Sequence, residues 1–147
     1  MKMQCRDLLT ATSTLVAMMA CPALVAAQSA PVQAVDKLTM ASKCEIQMTV
    51  LGGRGGQNDL TMTIENDGGW CWRDTNTPGK KSNKVLTAYY VKVTTPPKHG
   101  HVIIGDLPNG EIRVAYQPEP GFAGADSFTI HIDVRDTDAT YSVTVSK

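Results

Sequence analysis

The sequence lacks an excess of charge of either sign. Its 147 residues include 14 lysines and arginines against 14 aspartates and glutamates, so the formal net charge at neutral pH is zero. A protein that holds nucleic acid or an anionic membrane surface by electrostatic attraction normally carries a basic excess. The balance therefore supports neither kind of partner, and we expect no nucleic acid among them.

The sequence also lacks an apolar run long enough to span a bilayer. The run that begins at Leu8 is interrupted by threonine and serine, and it is shorter than the roughly 20 apolar residues that a membrane helix needs. Lys2 and Arg6 precede this run and small residues follow it, which is typical of a secretory signal peptide. We therefore expect a signal peptide over residues 1–27 and a periplasmic or extracellular protein without a membrane span. Lipid anchoring at Cys21 is the alternative.

Cysteine is scarce in this chain. It has 4 cysteines, and two of them, Cys5 and Cys21, belong to the predicted signal peptide. Cys44 and Cys71 remain in the exported chain, and a pair of cysteines in an exported protein favours a disulfide. A zinc site is the weaker alternative, because it requires two further ligands and the histidines are scattered along the sequence.

No segment shows a helical period over a helical length, whereas period-two alternation recurs along the chain. Alternation places successive side chains on opposite faces of a strand, and it occurs at 44–51, 60–65, 112–116, 127–135 and 141–145. Further strands are predicted at 88–95 and 101–105. Turn signals such as Gly-Gly and Pro-Asn-Gly separate these stretches. About seven or eight short strands predict one all-β domain over residues 43–147, an antiparallel sandwich. Residues 28–42 have no sustained period and are expected to be an N-terminal tether.

The stretch YQPEPGFAGADSFTI, from Tyr116 to Ile130, predicts a corner of this sandwich. Its prolines stop the strand that carries Tyr116, because proline cannot donate to a ladder, and its glycines permit a sharp change of direction. Phe122 is expected to fold back over the end of the core, and Phe128 begins the next buried face. Asp126 is expected to accept backbone N–H groups that the turn leaves unpaired. The stretch therefore has a structural interpretation throughout.

Three motifs carry a resemblance to a known family: PPKHGHV at 96–102, YQPEPGFAGADSF at 116–128 and the terminal strand YSVTV. At these residues the chain resembles the bacterial Ig-like, cadherin-like domains found in tandem arrays in large secreted adhesins. The resemblance covers the chain from about Thr94 to the C-terminus. It implies an antiparallel Ig-like β-sandwich without an active site, used as a spacer or adhesive unit.

The stretch WCW suggests a binding surface. If Cys71 faces inward, period two sends Trp70 and Trp72 to the opposite face. Two exposed indoles on one strand form an apolar platform for a sugar ring or a partner protein, and Arg73 beside them can add a stacking contact. The alternative is that one or both indoles pack against the disulfide or under the following loop, with Arg73 solvated.

Histidine and aspartate residues offer only incomplete metal sites. His99 and His101 would share one face of a strand, but no third ligand is evident, and His131 is predicted on a polar face. An aspartate cluster around the last hairpin turn can be interpreted as a calcium site. The ordinary interpretation is a turn that is merely rich in aspartate. This cluster consists of Asp133, Asp136 and Asp138. The sequence therefore predicts no bound metal and no cofactor.

The chain shows no arrangement of residues typical of an enzyme. Ser127 and Ser142 lie on predicted strands without a nucleophile elbow, and neither a Ser-His-Asp order nor a close carboxylate pair is evident. We therefore predict an exported, non-enzymatic module for protein binding, adhesion or surface assembly, with a protein or a cell-surface component as partner. A glycan-binding module that uses the two tryptophans and a small metal-dependent enzyme are the alternatives. Free sheet edges would also permit self-association.

Overall fold

The computed structural model describes residues 34–50, 55–75 and 87–147. All of them belong to one compact unit, Val32–Lys147. The predicted signal peptide with the alternative lipidation site Cys21, and residues 28–33 of the predicted tether, lie outside the described residues. No helix among the described residues is long and apolar enough to cross a membrane.

The described residues form eight strands. In chain order they are β1 (Cys44–Val50), β2 (Gln57–Glu65), β3 (Cys71–Thr75), β4 (Val91–Thr95), β5 (Gly100–Asp106), β6 (Ile112–Pro118), β7 (Gly124–Ile132) and β8 (Thr137–Ser146). Short 3₁₀ helices at Val35–Lys37, Ala88–Tyr90 and Asp133–Arg135 accompany them. The predicted stretches all contain strands, although the one expected at 88–95 begins with a 3₁₀ turn and becomes extended at Val91.

The strands form two sheets. One sheet has five strands in the order β1-β2-β8-β7-β4, and the other has three in the order β3-β6-β5. The prediction of an Ig-like β-sandwich with about seven or eight strands is thereby confirmed. Neighbouring strands are antiparallel except β2 and β8, which pair in parallel. Sequence alternation could not reveal this exception, because it determines the face that a side chain occupies and not the direction of the strand.

A stack of three aromatic rings forms the centre of the core. The rings of Tyr116 on β6 and Phe128 on β7 lie 5.8 Å apart between centroids, and those of Phe128 and Tyr141 on β8 lie 4.5 Å apart. All three side chains are at most 1% exposed. Phe128 and Tyr141 are also direct cross-strand partners. The stack therefore joins the inner faces of the two sheets.

Cys44 and Cys71 form a disulfide, which confirms the predicted pairing and leaves neither thiolate for zinc. Cys44 begins β1, the edge of the five-stranded sheet, and Cys71 begins β3, the edge of the three-stranded sheet. The bond therefore ties the two sheets together along one side of the sandwich.

The segment just before β1 packs against the sandwich. Ala41 N–H donates to the Trp70 carbonyl and Trp70 N–H donates to the Thr39 carbonyl, both at 2.9 Å. The Arg113 side chain donates to the Val35 carbonyl at 2.9 Å. The structure thus differs from the predicted tether over this part of the chain. The segment has no apolar period because much of its attachment is through backbone groups, which side-chain patterns do not report.

Candidate functional site

The predicted corner is built around the Asp126 carboxylate. Its two oxygens accept the N–H groups of Lys98 at 2.9 Å and His99 at 3.0 Å. Oδ2 also accepts the Tyr116 hydroxyl at 3.0 Å. We expected Asp126 to satisfy donors of its own turn, but only Ser127 N–H is local, and the other backbone donors lie in the loop before β5. The carboxylate therefore ties β6, β7 and that loop together.

Burial and hydrogen bonding together determine the ionisation of this corner. Burial raises the pKa of Asp126, but the backbone N–H groups and the tyrosine hydroxyl that donate to it outweigh burial, so its pKa lies below the usual value. Burial raises the pKa of Tyr116, and the hydrogen bond to Asp126 raises it further. At neutral pH the carboxylate is charged and the phenol is a donor, an arrangement that stabilises the corner.

Replacing Asp126 with Ala is expected to lower the free energy of unfolding at neutral pH by about 1–3 kcal/mol, because several donors lose their acceptor. A carboxylate whose pKa is depressed by folding stabilises the protein above its unfolded pKa of about 3.9, and this contribution is lost as the pH falls through the folded pKa. The difference between wild type and variant in urea unfolding should therefore shrink in acid. Glu45→Ala, which removes an exposed carboxylate on β1, is the control. If the stability difference between wild type and Asp126→Ala stays the same in acid, the ionised Asp126 carboxylate is not what stabilises the corner.

Phe122 covers the end of the core only in part. Its ring is half-buried against the core and stacks on His99, with centroids 4.3 Å apart and planes 13° apart. The Asn66 side chain holds this turn by donating to the carbonyls of Glu119 at 2.7 Å and Phe122 at 2.9 Å. Phe128, which we expected to begin a buried face, is 1% exposed. The corner is therefore capped jointly by Phe122 and His99.

Trp70 does not belong to an exposed pair of indoles. It is 6% exposed, and its ring meets the His101 ring edge-on at 4.9 Å. Trp70 precedes β3 and forms an isolated parallel bridge with Met40. Of the two interpretations of this stretch, Trp70 therefore agrees with the one in which an indole is packed, and not with the exposed pair. Period two could not reveal this, because the covering residues are distant in sequence.

Trp72 is half-buried beneath an arginine. The Arg113 guanidinium lies 4.3 Å from the ring centre of Trp72, a cation–π contact, and its Nε and Nη2 atoms donate to the two Asp74 oxygens at 2.7 Å. The hydrogen bond from Arg113 to Asp74 raises the pKa of Arg113 against the opposing effect of burial. Arg73 lines a cleft of about 360 Å³ together with Trp72 and Asp74. Because the Arg113 guanidinium already covers the Trp72 ring, Trp70 and Trp72 do not form the paired platform expected of a glycan site.

The outer face of the three-stranded sheet is covered near its centre. Ala115 on β6 is paired with Trp72 on β3 and is 0% exposed. Val35 packs closely over Gly105 of β5, where an added Cβ atom would lie 2.6 Å from the Val35 side chain. Gly105 therefore permits the close approach of the segment that precedes β1. At these positions the face is not open to a partner.

The aspartates of the last hairpin turn surround a histidine. The His131 ring nitrogens lie 2.8 Å from Asp138, 3.6 Å from Asp133 and 4.0 Å from Asp136. Lys92 also contacts Asp133, at 2.8 Å. The two histidines of the HGH stretch contact different aromatic rings. Among the described residues, no group of three or more His, Cys, Asp and Glu side chains has the arrangement of a metal site. Side chains of the protein itself engage these carboxylates.

Two backbone hydrogen bonds show how β5 pairs with β6. Glu119 N–H donates to the His99 carbonyl and Leu107 N–H donates to the Glu111 carbonyl, both at 2.8 Å. Hydrogen-bonded pairs alternate along an antiparallel ladder, so the odd-numbered residues of β5 bond to β6. The even-numbered residues direct their N–H and C=O groups to the other side. Pro118, which has no N–H to donate, lies opposite one of these even-numbered residues.

The sequence interpretation did not identify the open edge of β5 as a site. β5 is the last strand of its sheet, and no described strand pairs with it on the side away from β6. The backbone groups of Val102 and Ile104 are directed to this side. The signal in the sequence was the apolar run HVIIG, which contains neither proline nor lysine, the residues that commonly protect an edge strand. The strand order was needed to show that this run lies at an edge.

Comparison with protein-family models finds the bacterial Ig domain family over residues 27–146. The match begins far before Thr94, the residue from which the sequence motifs carry the resemblance. It includes all eight strands. No curated protein matches the chain. Because the family model spans most of the sequence and the strands form a two-sheet sandwich, the chain belongs to the bacterial Ig domain family.

Proposed function

We propose that this chain is an exported, non-enzymatic Ig-like module that binds a protein at the cell surface or in the periplasm through an open sheet edge. The edge of β5 carries the proposal, because the backbone groups of Val102 and Ile104 are directed away from the sandwich there. An extended segment of a partner can add at such an edge as a further strand, held by main-chain hydrogen bonds. Membership of the bacterial Ig domain family supports a role in adhesion or surface assembly.

The sheet faces are less suited to a partner than the edges. The segment before β1 covers the centre of the outer face of the three-stranded sheet. The outer face of the five-stranded sheet is polar, and its exposed side chains include Thr61, Ser127, Ser142 and Thr144. A polar face offers a partner little apolar area to remove from water. The sheet edges, which carry unpaired backbone groups, are therefore better suited to bind a partner.

The placement of the candidate nucleophiles supports binding rather than catalysis. Ser127 and Ser142 are exposed and directly opposite each other on neighbouring strands. Neither lies at the sharp strand-to-helix turn that presents the serine of an α/β-hydrolase. Cys44 and Cys71 are bonded to each other and are not free thiols.

The disulfide supports export of the chain. Disulfides form and persist in oxidising compartments such as the periplasm and the cell exterior. The signal peptide expected over residues 1–27 would direct the chain to such a compartment. The disulfide and the expected signal peptide both agree with a module that acts outside the cytoplasm.

Site-specific photo-crosslinking in intact cells tests the proposal. The full chain would be produced with a photoreactive residue in place of His101, an exposed position on β5, or in place of Thr144, an exposed position on the central strand β8. We expect protein adducts from position 101 and few from position 144, because a partner strand would lie beside β5. Adducts with any protein support the binding role. A folded, exported chain that yields no adducts at position 101, or equal adducts at both positions, would contradict it.

A further inference from the structure

We infer that the open edge of β5 takes the β5 strand of a second copy of this chain, so that two three-stranded sheets join into one continuous sheet. This inference rests on the proposed function and names the partner at the same edge. The two β5 strands would run antiparallel about a two-fold axis at Ile103. A two-fold interface uses the same surface on both copies and closes without further growth.

Among the four edge strands of the described fold, β5 is the least protected against pairing. β1 has a register irregularity between Met48 and Val50, and β4 has one between Val93 and Thr95. β4 also carries a lysine and leads into two prolines. β3 has 5 residues, whereas β5 has 7 and pairs with β6 without any irregularity. Bulges, lysines, prolines and short length are the features that discourage edge-to-edge association, and β5 has none of them.

The backbone of β5 suits a symmetric antiparallel partner. The even-numbered residues direct their N–H and C=O groups to the open side, as the ladder with β6 requires. A two-fold axis at Ile103 places Val102 opposite Ile104 of the second copy, and Gly100 opposite Asp106 of the second copy. These are pairs of even-numbered residues, so their backbone groups can exchange hydrogen bonds. This register overlaps the two strands from Gly100 to Asp106. At the Asp106 end the 3₁₀ helix Ala88–Tyr90 lies close by, since the Ala88 N–H donates to the Asp106 side chain at 2.7 Å.

The side chains in this register are compatible. Ile103 meets Ile103 of the second copy in a non-hydrogen-bonded pair, where side chains approach most closely. His101 lies opposite Gly105 of the second copy, and Asp106 lies opposite Gly100 of the second copy. The pairing therefore opposes no like charges, which would destabilise a cross-strand pair. β-branched residues at the centre add favourable cross-strand contacts.

Cysteine crosslinking of the full chain recovered after export tests this register. In Ile103→Cys, the two introduced cysteines would lie directly opposite, with Cα atoms about 4.5 Å apart, within the range that a disulfide spans. The matched control is His101→Cys, on the same strand. Its cysteine and that of the second copy would be four residues out of register, roughly 13 Å apart at 3.3 Å per residue, too far to bond. We expect a covalent dimer from Ile103→Cys in large excess over His101→Cys. Equal yields from the two variants, or none from a folded Ile103→Cys, would overturn the inference.

Sedimentation of the wild-type chain and of Ile104→Pro gives a second test that introduces no thiol. Proline at this position removes an N–H that faces the open edge and none that bonds to β6. Circular dichroism would verify that the variant folds, because the Ile104 side chain also packs against the core. We expect wild type to dimerise with increasing concentration and Ile104→Pro to be at least tenfold weaker. A wild-type chain that stays monomeric at all concentrations overturns the inference. If photo-crosslinking at position 101 then yields adducts only with a different protein, the proposed binding function stands while the second copy is rejected as the partner. If photo-crosslinking at position 101 yields no adducts, both the proposed binding function and the second copy as partner are rejected.

Discussion

Replacing Phe128 with Ala is expected to lower the free energy of unfolding by about 3–5 kcal/mol, the largest effect of any single substitution proposed for this protein. Phe128 is 1% exposed and stands between the rings of Tyr116 and Tyr141. Its removal withdraws apolar area from the core, leaves a cavity between the sheets and separates two tyrosines that the phenyl ring connects. Close packing limits how far the neighbours can move to fill the space.

Chemical denaturation measured by tryptophan fluorescence and by circular dichroism would provide this free energy. Tyr89→Ala is the matched control, because Tyr89 is an aromatic residue that is 80% exposed. Its substitution is expected to change stability by less than about 0.5 kcal/mol. A loss below about 1 kcal/mol for Phe128→Ala would mean that the aromatic stack is not the centre of the core.

Replacing both Cys44 and Cys71 with Ala is expected to lower the free energy of unfolding by about 3–4 kcal/mol in the chain-entropy model. The two cysteines are separated by 27 residues, and the bond restricts the unfolded chain over that loop. The same bond ties β1 to β3 at the edges of the two sheets. Equilibrium denaturation without reductant compares wild type with the double variant.

A reductant provides the control for this second prediction. It should lower the melting temperature of wild type towards that of the double variant and leave the double variant unchanged. Free thiols in the native exported chain, or equal stability of wild type and variant, would show that the bond does not contribute. The joint use of reductant and variant separates loss of the bond from changes in packing.

Local patterns made much of this fold accessible from the sequence. Alternation predicts that Tyr141, Val143 and Val145 share the inner face of β8, and all three are buried. Proline and glycine chemistry similarly predicts the end of β6 and the turn before β7. Both depend on residues that are close together in sequence. The cysteine pairing followed from export and from the small number of cysteines.

Contacts between distant residues account for what could not be predicted. The sequence leaves open whether Trp70 is exposed or packed, because the segment around Met40 covers it through a bridge that no side-chain period reports. Likewise, Asp126 was expected to serve its own turn and instead also binds the loop before β5. In both cases the partner lies about 30 residues away. Sequence chemistry indicated what these groups can bind, but the fold determines which groups come near them.

The candidate site was missed for the same reason. The run HVIIG is an ordinary strand in the sequence, and any of the predicted strands could have been central or at an edge. Only the order β3-β6-β5 places this strand last in its sheet. The ladder to β6 then determines which backbone groups are directed outward. Residue type alone identifies the tryptophans as candidates, whereas only the strand order of the sheet identifies an edge strand.

Amide hydrogen exchange along β5, resolved by residue and measured over a range of protein concentrations, tests the central claim most directly. In dilute solution the N–H groups of His101 and Ile103 should be protected by β6, while those of Val102 and Ile104 exchange rapidly with solvent. As the concentration rises, Val102 and Ile104 should become protected, because the second copy then accepts their hydrogen bonds. Complete protection of Val102 and Ile104 already in dilute solution would contradict an open edge, and rapid exchange at every concentration would contradict pairing of this edge with a second copy.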